Sequence, residues 1–183
     1  DQNVLAMVCD STNVFSEGRA GSESDVRESL LRIISNLKKK IIVTTFASNV
    51  ARMETVFYCA KKSNRQISLV GRSMHRIYKA AKQCGYLQDL IEPIDPRDAK
   101  NISRDKIIYL CTGSQGEPMG AMKRITSGKH PDVFLEKDDT VIFSSKIIPG
   151  NEKKLYAMHN EIVKNNIEII TEENAFVHVS GHP

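Results

Sequence analysis

Continuous apolar runs alternate with stretches in which apolar residues recur at helical spacing, and the alternation repeats along most of the chain. Val4 to Cys9 (VLAMVC) has no polar interruption, the pattern of a strand buried on both faces of a sheet. A loop with Gly18 and Gly21 leads to a helix expected from Ser24 to Lys39, where Val26, Leu30, Ile33, Ile34 and Leu37 form one apolar face. Ser22 and Asp25 have the spacing of a capping box, and Lys38 to Lys40 suit the negative end of the helix dipole. The unit then repeats. Ile41 to Phe46 is a β-branched strand, Ala47-Ser48-Asn49 a polar turn, and Val50, Met53, Val56, Phe57 and Ala60 an amphipathic helix. Ile67 to Val70 is the next strand, followed by Gly71-Arg72-Ser73 and a helix with Ile77, Ala80 and Ala81 that ends near Gly85.

Residues 86–104, with Pro93 and Pro96, are irregular and read as an excursion without a site. Ile107 to Cys111 restores the pattern, and Pro118 is placed to begin a short helix reaching Ile125. Strands follow at Thr140 to Ser144, Ile167 to Ile170 and Phe176 to Val179, with a helix carrying Leu155, Met158, Ile162 and Val163 between the first two. Strands alternating with amphipathic helices predict an α/β fold of three layers, a mostly parallel, doubly wound sheet with helices on both faces.

Length fits this: 183 residues make one domain with a sizeable core. With 40% apolar and 26% charged residues the composition is that of an ordinary globular protein, and no apolar run approaches the roughly 18 residues of a membrane span. A polar Asp1-Gln2-Asn3 start gives no signal peptide, so a cytoplasmic location without membrane partners is expected. Cysteines 9, 59, 84 and 111 lack C-x-x-C spacing and read as buried, reduced thiols. Charge is uneven: residues 1–82 hold 14 Lys+Arg against 7 Asp+Glu, and residues 83–183 hold 12 against 15. The basic half could serve a polyanion, although solvated helix faces produce similar excesses.

In doubly wound sheets, ligands bind beyond the carboxyl ends of the strands, which makes the strand exits informative. They are Asp10-Ser11-Thr12, Ser48-Asn49, Gly71-Arg72-Ser73, Thr112-Gly113-Ser114-Gln115, Ser144-Ser145 and, after His178, Ser180-Gly181-His182. Helix capping explains many of these small polar residues. It does not explain Arg72, His182 or the glycines at 71, 113, 116 and 181, which fit a floor of backbone donors facing phosphates. Gly113-x-x-Gly116 lacks the G-K-[ST] of a P-loop, and no G-x-G-x-x-G follows a strand. His75 and His159 read as helix-surface residues, and the five histidines contain neither H-x-H-x-D-H nor H-E-x-x-H, so no metal ligand is expected in this chain.

The motifs DSTN at 10–13, GSE at 21–23, TFASNVARM at 45–53, GRSM at 71–74, TGSQGEPMGAMKRI at 112–125, IIPGNE at 147–152 and HVSGH at 178–182 resemble, in order and spacing, the β-CASP domain of bacterial ribonuclease J. That resemblance implies a zinc-dependent ribonuclease with 5′-to-3′ exonuclease and endonuclease activity in RNA maturation and decay. In this family the β-CASP domain is inserted into a metallo-β-lactamase domain that binds two zinc ions, and RNA with a 5′-monophosphate end passes between the two. It implies that residues 1–183 are one β-CASP domain of a larger enzyme, with 1–9 and 177–183 bordering the other domain. By the same resemblance His182 is a phosphate contact and proton donor to the leaving oxygen, and Asp10 orients it. His178, Ser180 and Gly181 hold the terminal phosphate, and the loops with Ser48, Asn49, Gly113, Ser114 and Gln115 line the RNA path. Ser11, Arg72 and Ser73 are expected as phosphate contacts from their places at the strand exits. The metal-binding H-x-H-x-D-H is missing from this sequence, so the chain by itself is expected to be inactive, to bind no zinc and to bind RNA weakly. A homo-oligomer is compatible with the resemblance. Alternatives are a free-standing phosphate-binding module and an assembly module that dimerises through an exposed helix face.

Overall fold

The computed structural model describes residues 5–8 and 21–180. Five parallel strands form one sheet in the order β2-β3-β1-β4-β5: β1 Ile41–Thr44, β2 Gln66–Val70, β3 Ile107–Cys111, β4 Thr140–Phe143 and β5 Glu168–Ile170. The central strand β1 pairs Ile42 with Tyr109 on one side and with Val141 on the other. All four of its side chains are buried, because alternate residues enter separate cores on the two faces of the sheet. Ile41 and Val43 pack against α1 (Glu23–Asn36), α2 (Val50–Lys62) and α3 (Arg72–Gln83). Ile42 faces the opposite core, built by α4 (Pro96–Ala99), α5 (Ala121–Thr126) and α6 (Glu152–Lys164). The three-layer, doubly wound expectation therefore holds, with every strand pair among the described residues parallel.

Local chemistry sets the helix starts. Ser22 caps α1, its side chain accepting from the Asp25 N–H (3.2 Å) while the Asp25 carboxylate accepts from the Ser22 N–H (2.8 Å). The helix stops earlier than expected, at Asn36, because Leu37 turns extended, so Lys38 to Lys40 do not cap its end. Lys40 is buried instead, its Nζ 2.7 Å from Glu136 and 3.3 Å from Asp139, and Asp139 also pairs with Arg104 at 2.6 Å. Pro118 does not start α5. It follows Glu117, whose carbonyl accepts from the Gly120 N–H (2.9 Å), the turn position that suits its fixed φ.

Two expected strands are not formed among the described residues. Leu5 to Val8 form no strand and are exposed, since an apolar run is buried only where a sheet edge or helix covers it and no described strand pairs with it. Residues 176–179 are irregular: the Val177 carbonyl accepts from side chains of Arg52 (2.9 Å) and Ser144 (2.6 Å) in place of a ladder. Residues 86–104 have a structural task. The connection from β2 begins with α3 on one face and ends with α4 on the other, and between them the chain rounds the β2 edge, where Ile94 N–H donates to Ile67 (2.9 Å). No helix among the described residues is long and apolar enough to cross a membrane.

Candidate nucleic-acid interface

The chain leaves β1 through α2 toward one edge of the sheet and leaves β4 through α6, on the other face, toward the other edge. This divergence makes the β1/β4 gap the crevice where doubly wound folds place ligands. Here it is closed by the protein's own groups. Thr45 Oγ1 donates to the Ser144 carbonyl (3.0 Å), and Arg52, with no exposed surface, reaches in from α2. Its Nη1 donates to the Ser144 carbonyl (3.1 Å), Ser144 Oγ (2.5 Å) and the Val177 carbonyl (2.9 Å), while Nε and Nη2 hold both oxygens of Glu23 at 2.8 and 3.0 Å. One guanidinium thus ties α1, α2, β4 and the C-terminal segment together. Sequence reasoning missed it, because Glu23 lies far away in the chain and an arginine in an amphipathic helix reads as surface.

His178 follows this tether. Burial, then the nearby Arg52 guanidinium, lowers its pKa to about 4 despite the opposing Glu23, so the ring is neutral at pH 7. It can offer a phosphate a hydrogen bond but not a full charge. Ser180 is half-buried beside it. Asp10, Ser11, Gly181 and His182 lie outside the described residues.

At the exits of β2 and β3 the backbones close in. Gly71 (φ +110°) and Gly113 (φ +106°) occupy the left-handed region, and a Cβ on Gly113 would lie 2.9 Å from the Met122 nitrogen. This close approach seats the starts of α3 and α5 side by side. Between them opens a groove of about 830 Å³, lined by Arg72, Ser73, His75, Arg76, Arg124 and His130 among others and by no carboxylate. All three arginines are exposed. His130 Nδ1 accepts from the Asp132 and Val133 N–H groups (3.2 and 3.1 Å), so in the neutral ring Nε2 carries the proton; burial, and then Arg124, lower its pKa. Arg72 and Ser73 were visible as strand-exit residues. Arg76 was signalled by lying one helical turn beyond Arg72, whereas Arg124 joins them only through the fold.

Other predicted residues are placed differently. Asn49 caps α2, accepting from the Arg52 N–H (2.9 Å), and Ser48 is exposed in the preceding turn. Ser114 is buried, and its hydroxyl has no partner among the described residues. Gln115 is buried too and clamps the loop after β4: its Nε2 donates to the Lys146 carbonyl (2.9 Å) and its Oε1 accepts from the Ile148 N–H (2.8 Å). His159, expected at the surface, is half-buried with its ring against Phe143. Among the cysteines, 59 and 111 are buried with thiols raised to about 12, but Cys84 is exposed because it caps the end of α3. Among the described residues no group of three His, Cys, Asp or Glu side chains could hold a metal ion.

The fold and this edge define a doubly wound parallel α/β domain whose strand exits present a cationic groove. Residues 38–162, more than half of the chain, match the family described as Ribonuclease J, beta-CASP domain, and the chain belongs to that family. It is 40% identical over its whole length to Ribonuclease J of Sinorhizobium meliloti, covering 32% of that protein. It is 39% identical to Ribonuclease J of Mycolicibacterium smegmatis, covering 33%, and 36% identical to that of Synechocystis, covering 29%, again along its whole length. The chain therefore spans about a third of the length of these curated relatives.

Proposed function

We propose that the chain is the RNA-gripping β-CASP domain of a zinc-dependent ribonuclease acting as both a 5′-to-3′ exonuclease and an endonuclease, in the cytoplasm. The observation that carries the RNA part is the groove at the β2 and β3 exits, where Arg72, Arg76 and Arg124 converge with no lining carboxylate. Exposed guanidiniums suit phosphate oxygens, which they can bind bidentately without reading base sequence. The family relationship supports the rest: the chain is one domain, with residues 1–9 and 177–183 bordering a metallo-β-lactamase domain that holds two zinc ions. Zinc would activate the attacking water there. In this reading His182 contacts phosphate and protonates the leaving oxygen, Asp10 orients it, and Ser11, His178, Ser180 and Gly181 surround the 5′-monophosphate. Ser48, Asn49, Ser73, Gly113, Ser114 and Gln115 shape the RNA path, Gln115 by clamping the loop after β4.

Arg72→Ala, Arg76→Ala and Arg124→Ala should each weaken binding of 5′-monophosphorylated RNA by the intact protein and lower the salt slope of log K by about 0.7. An unchanged slope in all three removes the groove from the RNA path. His182→Ala should cut turnover by about 10²- to 10⁴-fold, and unaltered turnover would remove its proton-donor role. The purified 183-residue chain supplied with zinc should not cleave RNA; cleavage would refute the division of labour between domains.

A further inference from the structure

We infer that the opposite, amino-terminal edge of the sheet carries a second surface for the phosphodiester backbone of RNA, centred on Lys38, Lys39, Lys62, Arg65 and Lys106. The inference rests on the reading that the chain handles RNA, but it concerns a different place. The loops entering β1, β2 and β3 (residues 37–40, 63–65 and 103–106) meet around a groove of about 870 Å³. The two edges are separated by the height of the sheet, about 17 Å for a strand of five residues such as β2.

The four lysines are exposed, and among the described residues none of the five cations has a carboxylate within ion-pair distance. Arg65 is the built part of the groove. It is 7% exposed, and it donates from Nη1 to the Lys39 carbonyl (2.9 Å) and from Nη2 to the Leu37 carbonyl (2.5 Å), fixing the loop that bears Lys38 and Lys39 against the end of α2. Burial lowers its pKa, with Asp105 opposing, the expected response of a cation that has lost water without gaining a full counter-charge. Asp105, the acid in the lining, is engaged by the Ser103 hydroxyl, and Arg104 is neutralised by Asp139.

Helix-dipole compensation accounts for only part of this charge. Lys62 sits in the last turn of α2, where a cation is favoured. Lys38 and Lys39 lie beyond the end of α1, past the extended Leu37, and Lys106 precedes β3. Each lacks that explanation. Five cations gathered around one carboxylate, Asp105, repel one another, and a chain of phosphates relieves the repulsion with release of its own counter-ions. The lining also argues for a nucleic-acid backbone over an acidic protein. Its apolar residues are Ile34, which is buried, and Leu37, which is half-buried, so the aromatic or aliphatic anchors of a protein interface are missing.

The test measures binding of polyuridine by the intact protein, with chelator to stop turnover, over a range of salt. It compares a Lys38→Ala/Lys39→Ala/Lys106→Ala variant with an Arg72→Ala/Arg76→Ala/Arg124→Ala variant, and thermal melts confirm that both stay folded. The exposed lysine variant should lose roughly 2 from the slope of log K against log salt, about 0.7 per phosphate contact. If it keeps the wild-type slope while the arginine variant loses slope, the amino-terminal surface is overturned and the carboxyl-edge groove stands. Unchanged slopes in both overturn both. If the lysine variant keeps its RNA affinity but loses affinity for polyglutamate, the groove is an acidic-polypeptide surface and the inference fails.

Discussion

Arg52 is the side chain on which the architecture of the carboxyl edge most depends. Replacing it with alanine removes a fully buried guanidinium that holds Glu23, Ser144 and Val177 together. Breaking a buried ion pair by deleting one partner costs about 3–5 kcal/mol, because the remaining charge is left in a poor solvent. Two features place this case near the lower end. The Glu23 side chain keeps 24% of its exposure and the Thr55 hydroxyl at 2.7 Å, and the Ser144 and Val177 carbonyls each retain a hydroxyl donor, Thr45 and Ser144 respectively. A loss of about 3 kcal/mol is therefore expected, which at a urea m-value of about 2–3 kcal/mol/M lowers the midpoint by about 1–1.5 M. Arg52→Lys keeps the charge but not the fork and should cost about 1–2 kcal/mol through lost hydrogen bonds. Hydrogen exchange should accelerate in residues 175–179 of the alanine variant while β1 to β4 keep their protection, since Val177 is tied down by this side chain. A loss below about 1 kcal/mol at unchanged m, or strict additivity of Arg52→Ala with Glu23→Ala, would refute the reasoning, because groups in one buried network couple.

Gly113→Ala should destabilise the protein by more than the about 1–3 kcal/mol of a strained backbone, since φ is +106° and the new Cβ would also meet the Met122 backbone nitrogen at 2.9 Å. Calorimetry should show the melting temperature falling by at least about 3 °C, and an unchanged melt would deny the close approach of the two loops. His178 predicts a pH dependence. Its folded pKa of about 4 lies below the ordinary 6.5, so the neutral ring is the form the fold favours. Its stabilising contribution is complete above pH 6.5, is lost as pH falls from 6.5 toward about 4, and declines no further below that. Urea titrations of His178→Asn against the wild type should show a smaller loss across that window, and parallel curves would count against the buried, neutral ring.

Much of the fold was legible because its strands are buried on both faces and its helices on one. Ile107 to Cys111 reads as an unbroken apolar run, and Val56, Phe57 and Ala60 recur at helical spacing, so each period announces its own element. The same rule misread residues 5–8 and 176–179, since an apolar run records a need for cover without recording what supplies it. The candidate site was legible where a residue sits at a strand exit, as Arg72 and Ser73 do. It was not legible for Arg124 and His130, which reach the Arg72 groove from other parts of the chain. Gln115 was visible as a polar strand-exit residue, but its role as a loop clamp depends on Lys146 and Ile148 being beside it.

The amino-acid sequence by itself determined the alternation of strands and helices, the capping box at Ser22 and Asp25, the glycines at the tight exits and the family to which the chain belongs. These are local properties or ordered motifs, and both survive in one dimension. The tertiary structure decided that the β1/β4 crevice is filled by Arg52, that the open cationic groove lies two strand gaps away at the β2 and β3 exits, and that Lys38, Lys39, Lys62 and Lys106 gather on the opposite edge. Charge and hydrogen-bonding partners act through distances of a few ångströms, and in a parallel sheet those distances are set by crossovers that bring remote segments together.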